Sequence, residues 1–384
     1  MTQKRLLIIT RHRLHENNGG ANATKGFIHC LASIFDDCSL ICPAFEGDAT
    51  LYIPANVKLY PYHDQRSRIT KGLDVWRGKI CANEPYVKRH LKDHAYDIIV
   101  VDHSFAGALL VNAIKDTGAK MITIHHNVER DYQHDNRKEY SILFRWPYIH
   151  YAQKAEKECL QYSDINLTLT EKDALEFKSW YPDRDMHLYP WGTFDYRPME
   201  DKTLSPKHKE PHFIITGSLY FMQSLNPIME FIQHYWPLVK DVCHEARLTI
   251  AGRNPSQILY KTCKDDNSIT IIPNPDDMAA LVSQANYYIC PINAGSGLKL
   301  RVMDGLKQGL PVLCHQISAA GYEPLEIAGC VYSYHNEESF GKKLHQLLTS
   351  EMDPNIVYQT FKKCFSLETG ISRLNDILLQ ENIL

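Results

Sequence analysis

The chain has 384 residues, 44% of them apolar and 23% charged, with a formal net charge of -3 at pH 7. That length exceeds one ordinary hydrophobic core and implies two or three domains at about 150 residues each. The near-neutral balance argues against a general nucleic-acid binder, which needs a strongly basic surface.

Eleven cysteines are scattered without a CxxC pair, and several, such as Cys290 and Cys314, lie inside apolar runs. Free buried thiols in a reducing compartment have that distribution, so the expected location is cytoplasmic. No secretion signal precedes the first strand, and no run approaches the roughly 18 apolar residues of a membrane span.

In chain order, residues 5–10 read as a strand, and a loop carrying Gly19 and Gly20 leads to a helix over 21–34 with Phe27, Ile28, Leu31 and Ile34 on one side. Strand, glycine loop and helix form a nucleotide-type opening, although the GxGxxG fingerprint is absent. Further strands are predicted at 38–42, 97–101, 120–124 and 164–169, with helices between them. Such alternation implies a doubly wound parallel sheet, whose ligands gather beyond the C-terminal strand ends. Gly19-Gly20, Asp102-His103 and His125-His126-Asn127 fall there.

The polar, basic, proline-bounded stretch 202–211 reads as a linker, and the same grammar then restarts. Strands are predicted at 213–219, 247–253, 268–272 and 287–290, with helices at 228–242 and 278–284, the latter capped by Asp276-Asp277. After the 287–290 strand comes the turn Gly295-Ser296-Gly297 and a helix with Val302, Met303 and Leu306 at helical spacing, stopped by Gly309 and Pro311. A helix N-terminus offers unsatisfied amides and the positive dipole end to a phosphate, and Lys299 in the first turn adds a full charge. Asp304 follows where a carboxylate could accept from sugar hydroxyls. The residues 361–384 carry helical periodicity. Domain boundaries are expected at 1–200, 201–365 and 366–384.

Residues 66–92 depart from the neutral average: eight basic residues stand against Asp74 and Glu84, with Trp76 and Tyr86 among them. They read either as a solvated helix face or as a surface leaning on anionic phospholipid. His12, His15, His125 and His126 show neither HExxH nor a Cys-His zinc pattern, and no metal site is expected.

Taken together, Gly19-Gly20, His126-Asn127-Val128-Glu129, Pro190-Trp191-Gly192, Gly217-Ser218-Leu219, Ala251-Gly252-Arg253 and the string from Pro291 to Leu313 resemble the GT-B glycosyltransferases, especially glycosyltransferase family 4. The resemblance touches nearly the whole chain. It implies two Rossmann-like α/β domains facing a cleft, with the terminal helix crossing back to the first domain. It also implies transfer of a sugar from a nucleoside diphosphate sugar such as a UDP-sugar to a saccharide or lipid-linked acceptor, with retention, no metal and no cofactor. The first domain would present the acceptor and the second would bind the donor.

By the same resemblance the main chain at Gly297-Leu298-Lys299 would hold the diphosphate, and Arg253 or Lys299 would neutralise the leaving group. Gly217 and Ser218 would line the donor site, Asp304 would take the ribose, Gly19 and Gly20 would admit phosphate or sugar, and His126 would stand near the sugar hydroxyls. Ser296 and Asp304 occupy the positions of the two glutamates in the family's Glu-x7-Glu motif. That departure keeps a non-catalytic scaffold relative as an alternative, and a nucleotide-sugar epimerase on the same fold as a third reading.

Overall fold

The computed structural model describes residues 2–16, 18–45, 52–79, 81–107, 110–135, 137, 141–197, 199, 203–204, 211–295 and 297–384; most of the expected linker at 202–211, and Ser296, lie outside the described residues. The chain divides into two compact units, one comprising Met1–Pro198, Gly295–Leu298 and Phe365–Leu384, the other Met199–Ala294 and Lys299–Cys364.

The first unit is built on a seven-stranded sheet: β1 (Thr2–Thr10), β2 (Phe35–Pro43), β3 (Val57–Tyr62), β4 (Ile98–Asp102), β5 (Lys120–His125), β6 (Ile165–Thr168) and β7 (Leu188–Pro190). Their spatial order is β3-β2-β1-β4-β5-β6-β7, and every pair is parallel. Leu6, Leu7, Ile8 and Ile9 are all buried, as are Ile98 to Val101. Unbroken apolar runs of this kind suit strands covered by helices on both faces, and they are what made β1 and β4 visible in the sequence. The edge strands β3 and β7 lack such runs, and the sequence reading missed both.

The first helix begins at Gly19, not Ala21. Asn18 supplies the cap, its side chain accepting from the Ala21 amide at 2.9 Å, so Gly19 and Gly20 form the first turn of the helix instead of the expected loop. At the other end of the chain the predicted single helix is two, Pro354–Phe365 and Leu367–Gln380, separated by Ser366, whose hydroxyl caps the Thr369 amide. The Leu367–Gln380 helix is part of the first unit. There Trp191 Nε1 donates to Gly370 O at 3.0 Å, His187 Nδ1 lies 3.0 Å from Glu381, and Tyr189 donates its hydroxyl to the same carboxylate. A side chain at Gly370 would collide with Phe194 and one at Gly26 with the Phe194 carbonyl, so the close packing of this helix rests on two residues without a Cβ.

The second unit repeats the plan with six parallel strands: β8 (His212–Ser218), β9 (Arg247–Arg253), β10 (Ile269–Pro273), β11 (Tyr287–Cys290), β12 (Val312–His315) and β13 (Val331–Tyr334), in the order β10-β9-β8-β11-β12-β13. Its core gathers Phe213, Ile215, Phe231, Trp236, Ile250, Ile289, Leu313 and Phe340. The helix expected at 228–242 starts at Met222 and passes through a π turn at Phe231–Tyr235 into Trp236–Val242. Pro237, which has no amide to give to the preceding turn, lies two residues past the end of that wide turn. Asp277 caps the Met278–Ser283 helix by accepting from Ala280 N at 2.9 Å.

Gly252 and Gly341 give opposite expectations for added bulk. A Cβ at Gly252 would overlap the Gly217 carbonyl, whereas at helical Gly341 nothing lies within 4 Å. Gly252→Ala is expected to destabilise the chain by about 2–3 kcal/mol, and Gly341→Ala to stabilise it by about 0.5–1 kcal/mol. Urea unfolding of the two variants checks both signs, and equal midpoints would contradict the packing at Gly217.

Candidate functional site

In each sheet the chain changes direction at one place, between β1 and β4 in the first unit and between β8 and β11 in the second. Crevices beyond the C-terminal strand ends at such reversals are where open α/β sheets take their ligands.

In the first unit Thr10 and Asp102 are register partners at the ends of β1 and β4. Asp102 is 1% exposed. Its Oδ2 accepts from Thr10 Oγ1 at 2.6 Å and from Thr24 Oγ1 at 2.7 Å, and its Oδ1 lies 2.6 Å from His126 Nε2. Burial works against a charged carboxylate here, but His126, then His12 and the Thr10 hydroxyl, outweigh it and hold the Asp102 pKa down at about 2. An ionised carboxylate only accepts, so His126 Nε2 carries the hydrogen and Nδ1 is the ring nitrogen left for a ligand.

His12 stands 4.9 Å from the His126 ring, and its Nε2 is buried without a hydrogen-bond partner. Its ring also occupies the space a side chain at Gly20 would need. The glycine is therefore explained by His12 lying on the first helical turn. His103, at φ +84°, sets its Nε2 3.2 Å from Glu129. Glu156, whose pKa burial raises well above the usual range, accepts from the Glu129 and Arg130 amides at the start of the Glu129–Asp135 helix.

Gly297, at φ +72°, belongs to this unit, and a Cβ there would meet the His126 carbonyl and the Asn127 side chain. The structure thus groups four of the expected residues, Gly19, Gly20, His126 and Gly297, and adds Asp102 and His12. One ligand atom from each of His12, Asp102 and His126 lies within 4.8 Å of the others, a set that could hold a metal ion. No sequence spacing pointed to that set, because its members come from the ends of β1, β4 and β5.

In the second unit Gly217 pairs with Gly252 and Ser218 with Arg253 across β8 and β9. The Arg253 side chain is exposed. The Arg301 guanidinium lies against Gly217, with Nη2 donating to Ser224 Oγ at 2.7 Å near the start of the Met222–Glu230 helix. Sequence reading passed over Arg301 for Lys299. The helix after the glycine turn spans only Arg301–Leu306, so Lys299 precedes it and does not lie in its first turn, a correction caused by the short Leu300 cap with no side-chain bond. The Lys299 carbonyl accepts from the buried Tyr322 hydroxyl at 3.0 Å, which fixes the backbone there. Asp304 is close enough to Tyr288 and Tyr322 to add to the upward push that burial gives both phenols. Leu298 and Ser218 are half-buried.

Two α/β units with parallel sheets of this order define the GT-B class, and solved structures agree over almost the full length. The lipopolysaccharide outer core galactosyltransferase WaaB aligns at TM-score 0.70 and 10% identity, covering 98% of this chain and 99% of that one. WaaG, a glycosyltransferase involved in lipopolysaccharide biosynthesis, aligns at 0.64 and 15% over 97% and 99%. HepE from Anabaena, solved in complex with UDP-glucose, aligns at 0.65 and 9% over 98% and 100%. At these identities the likeness is one of fold.

Residues 210–350 match the model of the glycosyl transferases group 1 family. The fold is that of the GT-B class, and the match to the glycosyl transferases group 1 family lies in the second half of the chain. An uncharacterized 44.6 kDa protein in the cps region of Klebsiella pneumoniae is 24% identical over 240 residues, and the match spans 59% of each chain.

The buried imidazoles set an acid limit. Burial, opposed only in part by a bond to Asn166, pushes the His125 pKa from 6.5 down to about 4, and burial followed by His126 pushes His12 down to about 3. The unfolded chain takes up these protons below about pH 6.5 and the native chain does not until about pH 3–4, so stability is full above that window and lost as pH falls through it. For His125 the full effect is on the order of 3 kcal/mol. Thermal melting followed from pH 7.5 to 4 is expected to fall below pH 6.5, less steeply in His125→Gln; a flat wild-type profile would refute this.

Proposed function

We propose that this chain moves a hexose-type sugar from a nucleoside diphosphate donor, of which UDP-sugars are the first to test, to a saccharide or lipid-linked saccharide. The product is a cell-surface polysaccharide or glycoconjugate, made on the cytoplasmic face. The reading is of a metal-independent, retaining enzyme of the family 4 type.

One observation carries it: two arginines and two glycines meet at the β8 and β9 ends, with Arg301 against Gly217 and Arg253 beside Ser218. Cleaving the anomeric bond leaves extra negative charge on a diphosphate, and fixed cations and amides at that point lower the barrier. Glycine lets the donor phosphates approach the backbone closely. Arg253, Arg301 and Lys299 supply the charge, the Gly297-Leu298 main chain supplies amides, Asp304 takes the ribose hydroxyls, Ser218 faces the donor, and Ser296 is assigned to the donor by its place in the sequence motif alone. Asp102 fixes the His126 tautomer, so that Nδ1 meets the sugar hydroxyls beside Gly19 and Gly20. The relative in the cps region and the UDP-glucose complex of HepE support the donor and the setting.

Arg253→Ala and Lys299→Ala are each expected to reduce sugar transfer by about 10²–10³-fold with melting temperature unchanged. Near-normal turnover in both would sink the phosphate assignment. Thermal shift with UDP, GDP and their sugars separates the enzyme from the scaffold reading, since a ligand of the native state raises its stability. Silence from all of them favours the scaffold, and donor turnover without acceptor favours the epimerase.

A further inference from the structure

Two neighbouring helices of the first unit, Arg68–Trp76 and Ile142–Tyr162, turn their largest apolar residues outward. Ile69 is 78% exposed, Leu73 50% and Trp76 51%; on the second helix Ile142 is 84%, Leu143 72% and Trp146 66% exposed. Ile69, Leu73 and Trp76 follow at i, i+4 and i+7, one face of a helix.

The helices touch through other groups. Phe144 lies where a side chain at Gly72 would stand, Tyr151 lies against Gly78, and the Tyr151 hydroxyl donates to the Trp76 carbonyl at 3.1 Å. Contacts that advance together along both helices mean that they run in the same direction. The exposed side chains are therefore not the seam of this pair; Trp146 stacks on the His150 ring and still stands 66% exposed.

The charges around them are sorted. Arg66 is spent inside the fold, pairing with Asp64 at 2.8 Å and with buried Asp74 at 3.2 Å. Lys71 shares Asp64, and Lys88 pairs with Glu84 at 2.6 Å. Arg68, Arg77, Lys79, Arg89 and Lys92 are left without an ion pair among the described residues. Arg68, Arg77 and Lys79, on and just after the first of these helices, thus leave positive charge free beside the apolar edge, and both acids that the sequence reading weighed against it, Asp74 and Glu84, are paired.

We infer that this helix pair is a docking surface for an anionic bilayer. Tryptophan and aliphatic side chains enter the boundary between headgroups and acyl chains, while arginine and lysine meet the lipid phosphates. No helix of the described residues is long and apolar enough to cross a membrane, so the contact is peripheral. A second copy of this chain is the competing occupant of such a face, but like-charged rims repel in a self-association, whereas an anionic lipid surface complements them. The surface places the first unit at a membrane irrespective of which sugar is transferred.

The test is sedimentation of the full chain with vesicles of phosphatidylcholine alone and of phosphatidylcholine with phosphatidylglycerol. Binding is expected only with phosphatidylglycerol, weakening as salt rises, with a blue shift of tryptophan emission. Ile69→Glu with Leu73→Glu, or Ile142→Glu with Leu143→Glu, is expected to lower vesicle affinity about tenfold or more, and Arg68→Glu with Arg77→Glu to do the same. These positions are exposed, and unchanged circular dichroism and melting would establish that the fold survives. Loss through either apolar pair supports the surface. No binding to anionic vesicles, binding unaffected by all three pairs, or a dimer in solution that the same substitutions dissolve would overturn it.

Discussion

A carboxylate sealed from water organises the first unit. Asp102 sits at the point where the strand order reverses, and burial alone would make its charge costly. Three donors from β1, from the Gly19–Ile34 helix and from the residue after β5 converge on it and keep it ionised. Each of those segments is thereby registered against the other two. An apolar group at that position would remove the reason for Thr10, Thr24 and His126 to face inward, and the two hydroxyl hydrogens would lose their buried acceptor. The geometry of the imidazole is a by-product of satisfying the charge.

The second unit relies on closeness of backbone instead. Gly217 and Gly252 are register partners, and the carbonyl of one fills the space where the other would carry a methyl group. Gly305 does the same against Tyr288, pressing the Arg301–Leu306 helix onto β11. The absence of a side chain at Gly217 leaves room at the strand end for the Arg301 guanidinium, which lies against that main chain and donates to Ser224. Where the first unit positions polar groups with a hydrogen-bonded charge, the second positions them by steric exclusion.

Much of this plan was legible in the sequence for a simple reason. Central parallel strands are buried on both faces, so β1, β4 and β11 print as apolar runs and β9 as one broken only by Thr249. Edge strands β3 and β7 do not, and the Met222–Val242 helix hid its first turns behind Pro227. Local chemistry was read well at Asp277, a cap needing only its own neighbours. It was misread at Gly19-Gly20, because the cue for the cap lay in Asn18 and the reason for the glycine in His12, which reaches it across space. Asp102 was marked only by its place at a strand end and Arg301 not at all; their partners are Thr24, His126, Gly217 and Ser224, which local sequence does not reveal. The 66–92 stretch counted as basic by composition, yet the structure withdraws Arg66 from that surface and sets Ile142, Leu143 and Trp146 on a neighbouring helix.

The terminal helix has a consequence for how the protein comes into being. The first unit is completed by Phe365–Leu384, and Trp191 finds its partner only when Gly370 exists. A ribosome adding about 5–20 residues per second takes on the order of 10–30 s to traverse the second unit before it reaches that segment. During this interval the nascent first unit carries an open groove lined by Gly26, Trp191 and Phe194, while the second unit, whose strands are contiguous in the chain, can close as it emerges. Order of synthesis and order of completion are therefore reversed, and the half made first is the half finished last.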